Sequence, residues 1–246
     1  MRLITCLTLA ALLICNAQAD ETRQSKPLVH VGYYEFAPYT YTDSDNLPRG
    51  SLIEITVRLL ERAGYQAEFR SYPNARLYQG LHDGTIHIWP GAAGKADLKD
   101  LTLESRSMLG EVPLNLYFRP ETARPNLPEG LKDKRLIVLN GYTYWSPVSH
   151  WLDDPQLNIQ QLKTNSHASA LAMLLHKRGD YLLDYKAPIE LERKNMNIAD
   201  LKHIQLQFIQ SKLVISKKAP NAETLLDDLD QAYDALTAEG VELNLH

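Results

Sequence analysis

Apolar runs of strand length alternate with amphipathic stretches of helical length over the first half of the chain. Leu28 to Tyr33 and Ile86 to Trp89 are short apolar runs, and Tyr65 to Phe69 alternates as half-buried strands do. Two stretches between them, Ser51 to Ala63 and Asn74 to Leu81, carry apolar residues at helical spacing. The order strand–helix–strand–helix–strand predicts two βαβ units, and hence a parallel sheet with helices on its faces.

The predicted helix boundaries depend on short capping signals. Ser51 is followed three residues later by Glu54, which is the pattern of a capping box, so we predict Ser51 as the N-cap of the first helix. Gly64 is expected to end that helix. Asn74 is predicted as the N-cap of the second helix and Gly84 as its end. These signals place each helix between two predicted strands.

The alternation continues in the second half of the chain. Val112 to Phe118, Arg135 to Leu139 and Asp180 to Asp184 are predicted strands. Ser166 is expected to cap a helix that Gly179 ends. The remaining predicted elements are a helix starting at Ala187 and Pro188, extended segments over His203–Phe208 and Lys212–Ser216, and a last helix from about Asn221.

These elements predict an α/β fold of two lobes, each a mainly parallel sheet with flanking helices, joined by two crossing strands. The expected boundaries are 20–109 for the first part of lobe 1, 110–212 for lobe 2, and 213–246 for the segment that returns to lobe 1 and ends in a helix. Ligands of open α/β sheets bind at the carboxyl ends of the strands, so we expect a ligand cleft between the lobes.

The first residues have the pattern of a secretory signal peptide. Arg2 is followed by an apolar run from Leu3 to Cys15 and then by Ala17, Gln18 and Ala19, so residues 1–19 are predicted to be removed after Ala19. The run is shorter than the ~20 apolar residues that a membrane-spanning helix needs. We therefore expect a protein exported to the periplasm.

Charge and cysteine content exclude several classes of function. Arg2 is the only charged residue of the predicted signal peptide, so 25 of the 26 basic residues remain against 30 acidic ones, a net charge of −5. This mild acidity argues against nucleic acid as a partner. Both cysteines, Cys6 and Cys15, lie in the predicted signal peptide. We therefore expect no thiol chemistry, and the histidine spacing indicates neither a metal site nor any other cofactor.

The loop after the first predicted strand is rich in aromatic residues. Tyr33 to Tyr41 contains five aromatic side chains in nine residues. Aromatic faces stack on planar groups and on cations, so Tyr34 and Phe36 are predicted to contact a ligand. The alternative is that these rings close the top of the lobe core.

A second candidate site follows the strand that ends near Trp89. Gly91, Ala92 and Gly94 would let a ligand approach backbone N–H groups, and a helix start near Ala96 would favour an anion. Lys99 would add a positive charge. The alternative is an ordinary turn.

Further candidates lie in the predicted second lobe and at the cleft edge. Tyr142 and Thr143 follow a strand and offer an aromatic ring and a hydroxyl group. Asp184 ends another strand, where its carboxylate would suit an ammonium group or would simply be solvated. Arg76 is either a residue of the cleft edge or a surface residue.

The order of these motifs resembles that of the family-3 bacterial extracellular solute-binding proteins, the periplasmic receptors of polar-amino-acid importers. The likeness runs from about Pro27 to the end and includes the stretch from Val31 to Tyr39, with its aromatic-x-Pro-aromatic element. Leu77 to Ile88 resembles the "L-x-x-G-x-(I/V)-D" stretch, although His87 stands where Asp is usual. The resemblance implies a two-lobe type II fold that closes on a small polar ligand, with Gly141, Tyr142 and Thr143 near the ligand carboxylate.

Two departures from the family pattern concern the ligand. The family's "T-x-x-R" reads Ala96 to Lys99 here, which keeps a charge but loses the bidentate arginine fork. The acid that usually holds the ligand ammonium falls at Tyr185, with Asp184 one residue earlier. Because neighbouring strand residues face opposite ways, the sequence leaves open which of these two faces the cleft.

The leading functional prediction is a monomeric, non-catalytic protein that captures an amino acid or a related small organic acid for the membrane permease of an ABC importer. One alternative is an exported enzyme similar to cyclohexadienyl dehydratases. The other is a periplasmic subunit that reports a ligand to a signalling receptor.

Overall fold

A computed structural model describes residue 26, residues 28–142 and residues 144–245 of the chain. The predicted signal peptide, 1–19, lies outside the described residues. Within the described part of the chain, no helix is long and apolar enough to cross a membrane.

The described elements alternate along the chain as follows. The strands are β1 (Val29–Tyr33), β2 (Tyr41–Thr42), β3 (Pro48–Arg49), β4 (Ala67–Ser71), β5 (Ile88–Ala92), β6 (Thr102–Glu104), β7 (Gly110–Phe118), β8 (Arg135–Leu139), β9 (Gln160–Thr164), β10 (Tyr181–Tyr185) and β11 (Lys202–Ser216). The helices are α1 (Ser51–Ala63), α2 (Asn74–Asp83), α3 (Val148–Asp153), α4 (His167–Leu175), α5 (Lys186–Asn195) and α6 (Ala222–Ala238). Short 3-10 turns lie at Ala96–Leu98 and Glu129–Leu131.

Nine of these strands form one sheet, in the order β4-β1-β5-β11-β7-β10-β8-β9, with β6 paired to β11. At one end of the sheet β1 is parallel to β4 and β5, and at the other end β8 is parallel to β9 and β10. The predicted α/β fold with two mainly parallel groups of strands is therefore confirmed. The lobe boundaries at residues 109, 110, 212 and 213 remain predictions.

Two antiparallel strands join the halves of the sheet. β7 and β11 pair along nearly their whole common length, with a bulge between Gln205 and Gln207. The far end of β11 continues along β5, from Ser211 to Ile215. The two separate extended segments predicted over 203–216 are thus one strand of 15 residues. β11 therefore runs without a break from one half of the sheet to the other.

Two predicted helix caps are wrong. The N-cap of α1 is Gly50 and that of α2 is Pro73, so Ser51 and Asn74 are the first helical residues. The Ser51 hydroxyl is buried and makes no hydrogen bond with the described residues. The Asn74 side chain bonds the other lobe instead, as described below. Ser166 does cap α4, since its hydroxyl accepts the Ser169 N–H.

The end of α4 also differs from the prediction. The helix ends at Leu175, before Gly179, because Lys177 adopts a left-handed backbone conformation with φ of 58°. The N–H groups of Lys177 and Arg178 then close on carbonyl groups of the last helical turn. The apolar side of α4 packs on the second-lobe strands through Ala170, Leu171 and Leu174.

Candidate ligand cleft

A groove of about 510 Å³ opens where strands of the two lobes end. Its first-lobe side is formed after β1 and β4, and its second-lobe side after β8 and β9, which is where ligands bind in α/β sheets. The volume is in the range of small-molecule sites. The side chains used below to describe the groove are Tyr34, Glu35, Ser71, Asn74, Tyr142, His167 and Glu192.

Aromatic rings from both lobes meet in the deeper part of this cleft. The Phe36 ring lies 5.2 Å from the Tyr185 ring, in an edge-on contact, and 6.1 Å from the Tyr142 ring. Tyr34 lies 6.1 Å from Tyr142. Four predicted ligand contacts are therefore brought together, and this group of rings is called the aromatic cluster below.

The aromatic cluster nearly fills the deep part of the cleft. The cavity that remains behind Tyr34, Phe36 and Tyr185 has a volume of about 20 Å³ and also touches Gly91 and Ala92. Such a volume holds about one water molecule. Burial raises the pKa of the Tyr34 and Tyr185 hydroxyl groups well above the ordinary tyrosine value.

A histidine–aspartate pair lies beside the aromatic cluster. Asp184 is 1% exposed, and its two carboxylate oxygens lie 3.0 and 2.9 Å from Nδ1 of His167. The Tyr185 N–H donates a second hydrogen bond, of 2.7 Å, to the same carboxylate. The other ring nitrogen of His167, Nε2, lies 3.3 Å from the Tyr142 hydroxyl. Asp184 is thus held by the protein's own groups.

The two residues at the end of β10 have different contacts. The Asp184 carboxylate contacts His167 of α4, whereas the Tyr185 ring contacts Phe36 in the aromatic cluster. His167 was not among the predicted site residues. Its only signal in the sequence was its place directly after the predicted capping residue Ser166.

The glycine-rich turn after β5 is occupied by groups of the protein. The Gly94 N–H donates a hydrogen bond of 2.7 Å to the Glu104 carboxylate. Gly91, predicted in this turn, lies within β5, where a Cβ atom would be 1.9 Å from the Trp89 ring, so the indole of the same lobe requires a glycine here. The predicted helix near Ala96 is a 3-10 turn of three residues, too short to attract an anion through its dipole.

Two basic residues near this turn have different surroundings. Lys99 is exposed at the end of the 3-10 turn, and the described residues that line the groove do not include it. Lys95 is buried, with its ammonium nitrogen 4.5 Å above the Tyr78 ring, and burial lowers its pKa. Arg76 is exposed on α2, and Thr143 lies outside the described residues.

Two hydrogen bonds cross the cleft at its rims. The Asn74 amide donates to the Gly141 carbonyl oxygen at 3.1 Å, and the Trp145 indole donates to the Gly94 carbonyl oxygen at 3.1 Å. Gly141 and Gly94 both have positive φ angles, 76° and 69°. The lobes are therefore in direct contact. Among the described residues, no cluster of three or more His, Cys, Asp or Glu side chains could hold a metal ion.

Comparison with known proteins gives structural matches only. No protein-family model matches the sequence, and no curated protein matches it. An ancestral arginine-binding protein bound to arginine has a TM-score of 0.72 at 18% identity, over 88% of this chain and 95% of that chain. A histidine kinase sensor domain with similarity to periplasmic binding proteins has a TM-score of 0.72 at 17% identity, over 87% and 92%.

The substrate-binding protein of an amino acid ABC transporter is a further match, with a TM-score of 0.69 at 16% identity, over 87% of this chain and 95% of that one. These matches cover nearly the whole described chain. At identities of 16–18% they establish the fold alone. The protein therefore has the two-lobe periplasmic-binding-protein fold, and the resemblance seen in the sequence is confirmed at that level.

Proposed function

We propose that the protein is a periplasmic solute-binding protein that closes its two lobes on a small polar ligand of amino-acid size. The observation that carries the proposal is the meeting of aromatic rings from both lobes, Phe36 with Tyr142 and Tyr185, beside a 510 Å³ groove. A ligand would bind the closed form better than the open form and so shift the population toward closure. We expect a monomer, because closure requires free lobes.

The first test is ligand-dependent stability of the chain without the predicted signal peptide, residues 20–246. Thermal unfolding would be measured with single amino acids, organic acids, amines and short peptides. A ligand at 100 times its Kd stabilises the native state by about 2.7 kcal/mol, which raises the midpoint by several degrees. A shift with one chemical class supports the proposal, and no shift with any of them contradicts it.

A matched pair of variants tests where the ligand binds. Tyr34→Ala with Phe36→Ala removes two rings of the aromatic cluster, and we expect at least a tenfold loss of affinity by calorimetry. Phe208→Ala removes an aromatic ring that is 52% exposed and lies away from the groove, and affinity should be unchanged. Equal affinity in both variants would exclude the aromatic cluster as the site.

The partner we propose is the membrane permease of an ABC importer. Two of the structural matches support different roles, since one is the substrate-binding protein of an ABC transporter and the other is a sensor domain of a histidine kinase. Deletion of the gene should abolish uptake of the radiolabelled ligand if the role is import. Normal uptake with a lost transcriptional response would instead support the sensing role.

The pairing of His167 with Asp184 gives an enzyme as the second candidate. A histidine whose Nδ1 is held by a buried carboxylate is a positioned proton acceptor, and its Nε2 points to the Tyr142 hydroxyl at the groove. Such a group could support dehydration of a cyclohexadienyl acid. Turnover of such an acid that is lost in His167→Gln would establish this candidate, and saturable binding without product would exclude it.

A further inference from the structure

The groove carries two carboxylates, Glu35 and Glu192, that form no ion pair with a basic side chain in the described part of the chain. Glu35 accepts hydrogen bonds from the Thr42 N–H at 2.9 Å, the Thr42 hydroxyl at 2.7 Å and the Ser71 hydroxyl at 2.6 Å. These donors fix the carboxylate on the groove wall without cancelling its charge. Glu192 of α5 lines the opposite wall, and no described residue forms a hydrogen bond or ion pair with its side chain.

The basic groups nearby do not reverse this balance. Any charge on His167 is offset by the Asp184 carboxylate at 2.9 Å. Arg70 is exposed and lies over the Tyr72 ring at 5.9 Å, where solvent screens it. Lys95 borders a different cavity, beside Trp145. The described side chains that line the groove therefore carry a net negative charge.

The predicted anion-binding groups of the first lobe do not serve the groove. The Gly94 N–H is bound to the Glu104 carboxylate. Lys99, which stands in the place of the family's arginine clamp, is exposed away from the groove. An anion would thus find the carboxylates of Glu35 and Glu192 but no free basic side chain on the groove walls among the described residues.

We infer that the groove takes a small organic cation, an amine or a guanidine, and does not require a carboxylate on the ligand. Glu35 and Glu192 attract the cation from opposite walls, and the rings of Tyr34 and Tyr142, 6.1 Å apart, offer faces for cation–π contact. This inference rests on the proposed function and narrows its ligand class, favouring amines over the small organic acids that the sequence also allowed.

The test compares ligands that differ only in the carboxylate. Thermal unfolding of residues 20–246 would be measured with arginine and agmatine, with lysine and cadaverine, and with glutamate and citrate. We expect agmatine or cadaverine to raise the midpoint at least as much as its parent amino acid, and glutamate and citrate to leave it unchanged. A shift with arginine but not agmatine, or with the anions alone, would overturn the inference and leave the proposed function standing. No shift with any compound would count against both.

A charge-removing variant tests the wall residues directly. Glu192→Gln should weaken, by at least tenfold, the affinity for whichever cation raises the midpoint. Because the Glu192 side chain has no hydrogen-bond or ion-pair partner among the described residues, the variant should fold normally. Glu35→Gln, which keeps the acceptor oxygen for its hydroxyl partners, should act in the same direction. Glu223→Gln removes one exposed negative charge from α6 and is the control for net charge. Equal affinities in Glu192→Gln and Glu223→Gln would exclude Glu192 as a ligand contact.

Discussion

The indole Nε1 of Trp145 donates a hydrogen bond of 3.1 Å to the carbonyl oxygen of Gly94. Trp145 lies between β8 and α3, and Gly94 lies in the turn after β5, so this bond joins the two lobes across the cleft. The Gly94 N–H is fixed at the same time by Glu104, at 2.7 Å. The indole of Trp145 therefore binds a turn that a hydrogen bond within the first lobe already holds in place.

Trp145→Phe should shift the protein toward an open form. The variant keeps a smaller aromatic ring and removes the indole N–H that donates the cross-cleft hydrogen bond, which contributes about 0.5–1.5 kcal/mol. We expect a larger radius of gyration in small-angle X-ray scattering of the unliganded protein, and a roughly two- to tenfold weaker affinity for the ligand found in the stability panel. Trp151→Phe, in the same lobe, is the control. Identical scattering from both variants would contradict a closing role for Trp145.

Asn74→Asp should open the opposite rim. The change replaces the amide donor with a carboxylate oxygen that faces the Gly141 carbonyl oxygen, now 3.1 Å from the amide nitrogen. Repulsion adds to the loss of the bond, so Asn74→Asp is expected to scatter as a more open protein than Asn74→Ala. The opposite ranking of the two variants would show that this contact does not hold the lobes together.

The sequence pattern predicted the layered fold because burial in a sheet is periodic. The parallel strands β1, β5 and β8 were found because each is a short, nearly continuous apolar run. β9 was missed because its sequence, QQLKT, is mostly polar and its strand lies at the edge of the sheet. Helix α3, which has six residues, gave too little periodicity to be recognised.

Residues of the candidate site could be predicted from the sequence only where a local pattern marks them. Tyr34, Phe36 and Tyr142 were proposed because aromatic residues cluster near strand ends. Tyr185 was proposed because it falls where the family has its ammonium-binding acid, and the structure brings the four rings together. The pairing of Asp184 with His167 depends on how α4 sits against β10, 17 residues apart in the chain, and no local pattern specifies it. The hydrogen bond from the Gly94 N–H to Glu104, which competes with an anion for that N–H, likewise arises only in the folded protein.

His87 should make the protein less stable at acidic pH. It is 8% exposed, and its Nδ1 accepts the His30 N–H at 3.2 Å. Burial, together with the charge of His30, lowers the pKa of His87 below its ordinary value of 6.5. Between the lowered pKa and pH 6.5, the His87 side chain therefore binds a proton in the unfolded chain but not in the folded protein. Stability present above pH 6.5 is lost as the pH falls through the lowered pKa.

The measurement is urea unfolding of the wild type and of His87→Asn, whose amide oxygen can replace Nδ1 as acceptor, at several pH values between about 5 and 8. The difference in unfolding free energy, wild type minus variant, should become smaller as the pH falls. Taking the difference removes the common contribution of the histidines that do not contact His87. A difference that is constant with pH would show that His87 titrates alike in the folded and unfolded chains.

Gly50 and Gly64 bracket α1 and offer a matched pair of substitutions. Both have positive φ angles, 112° and 78°. A Cβ atom on Gly64 would meet nothing within 4 Å, so Gly64→Ala should cost only the left-handed backbone penalty of about 1–2 kcal/mol. A Cβ atom on Gly50 would lie 2.3 Å from the Tyr39 carbonyl oxygen, a backbone atom that cannot move away as a side chain can.

Gly50→Ala should therefore lower the unfolding free energy by roughly 3 kcal/mol or more. It should also affect binding, because the displaced Tyr39 carbonyl accepts the Leu52 N–H at 3.0 Å and Tyr39 packs 5.4 Å from the Phe36 ring of the aromatic cluster. Denaturant unfolding of the two variants, with ligand affinity measured in each, checks both expectations. Equal destabilisation by Gly50→Ala and Gly64→Ala would mean that the backbone from Pro38 to Tyr39 shifts to make room for the added methyl group at little cost. In that case the position of Phe36 does not depend on the start of α1.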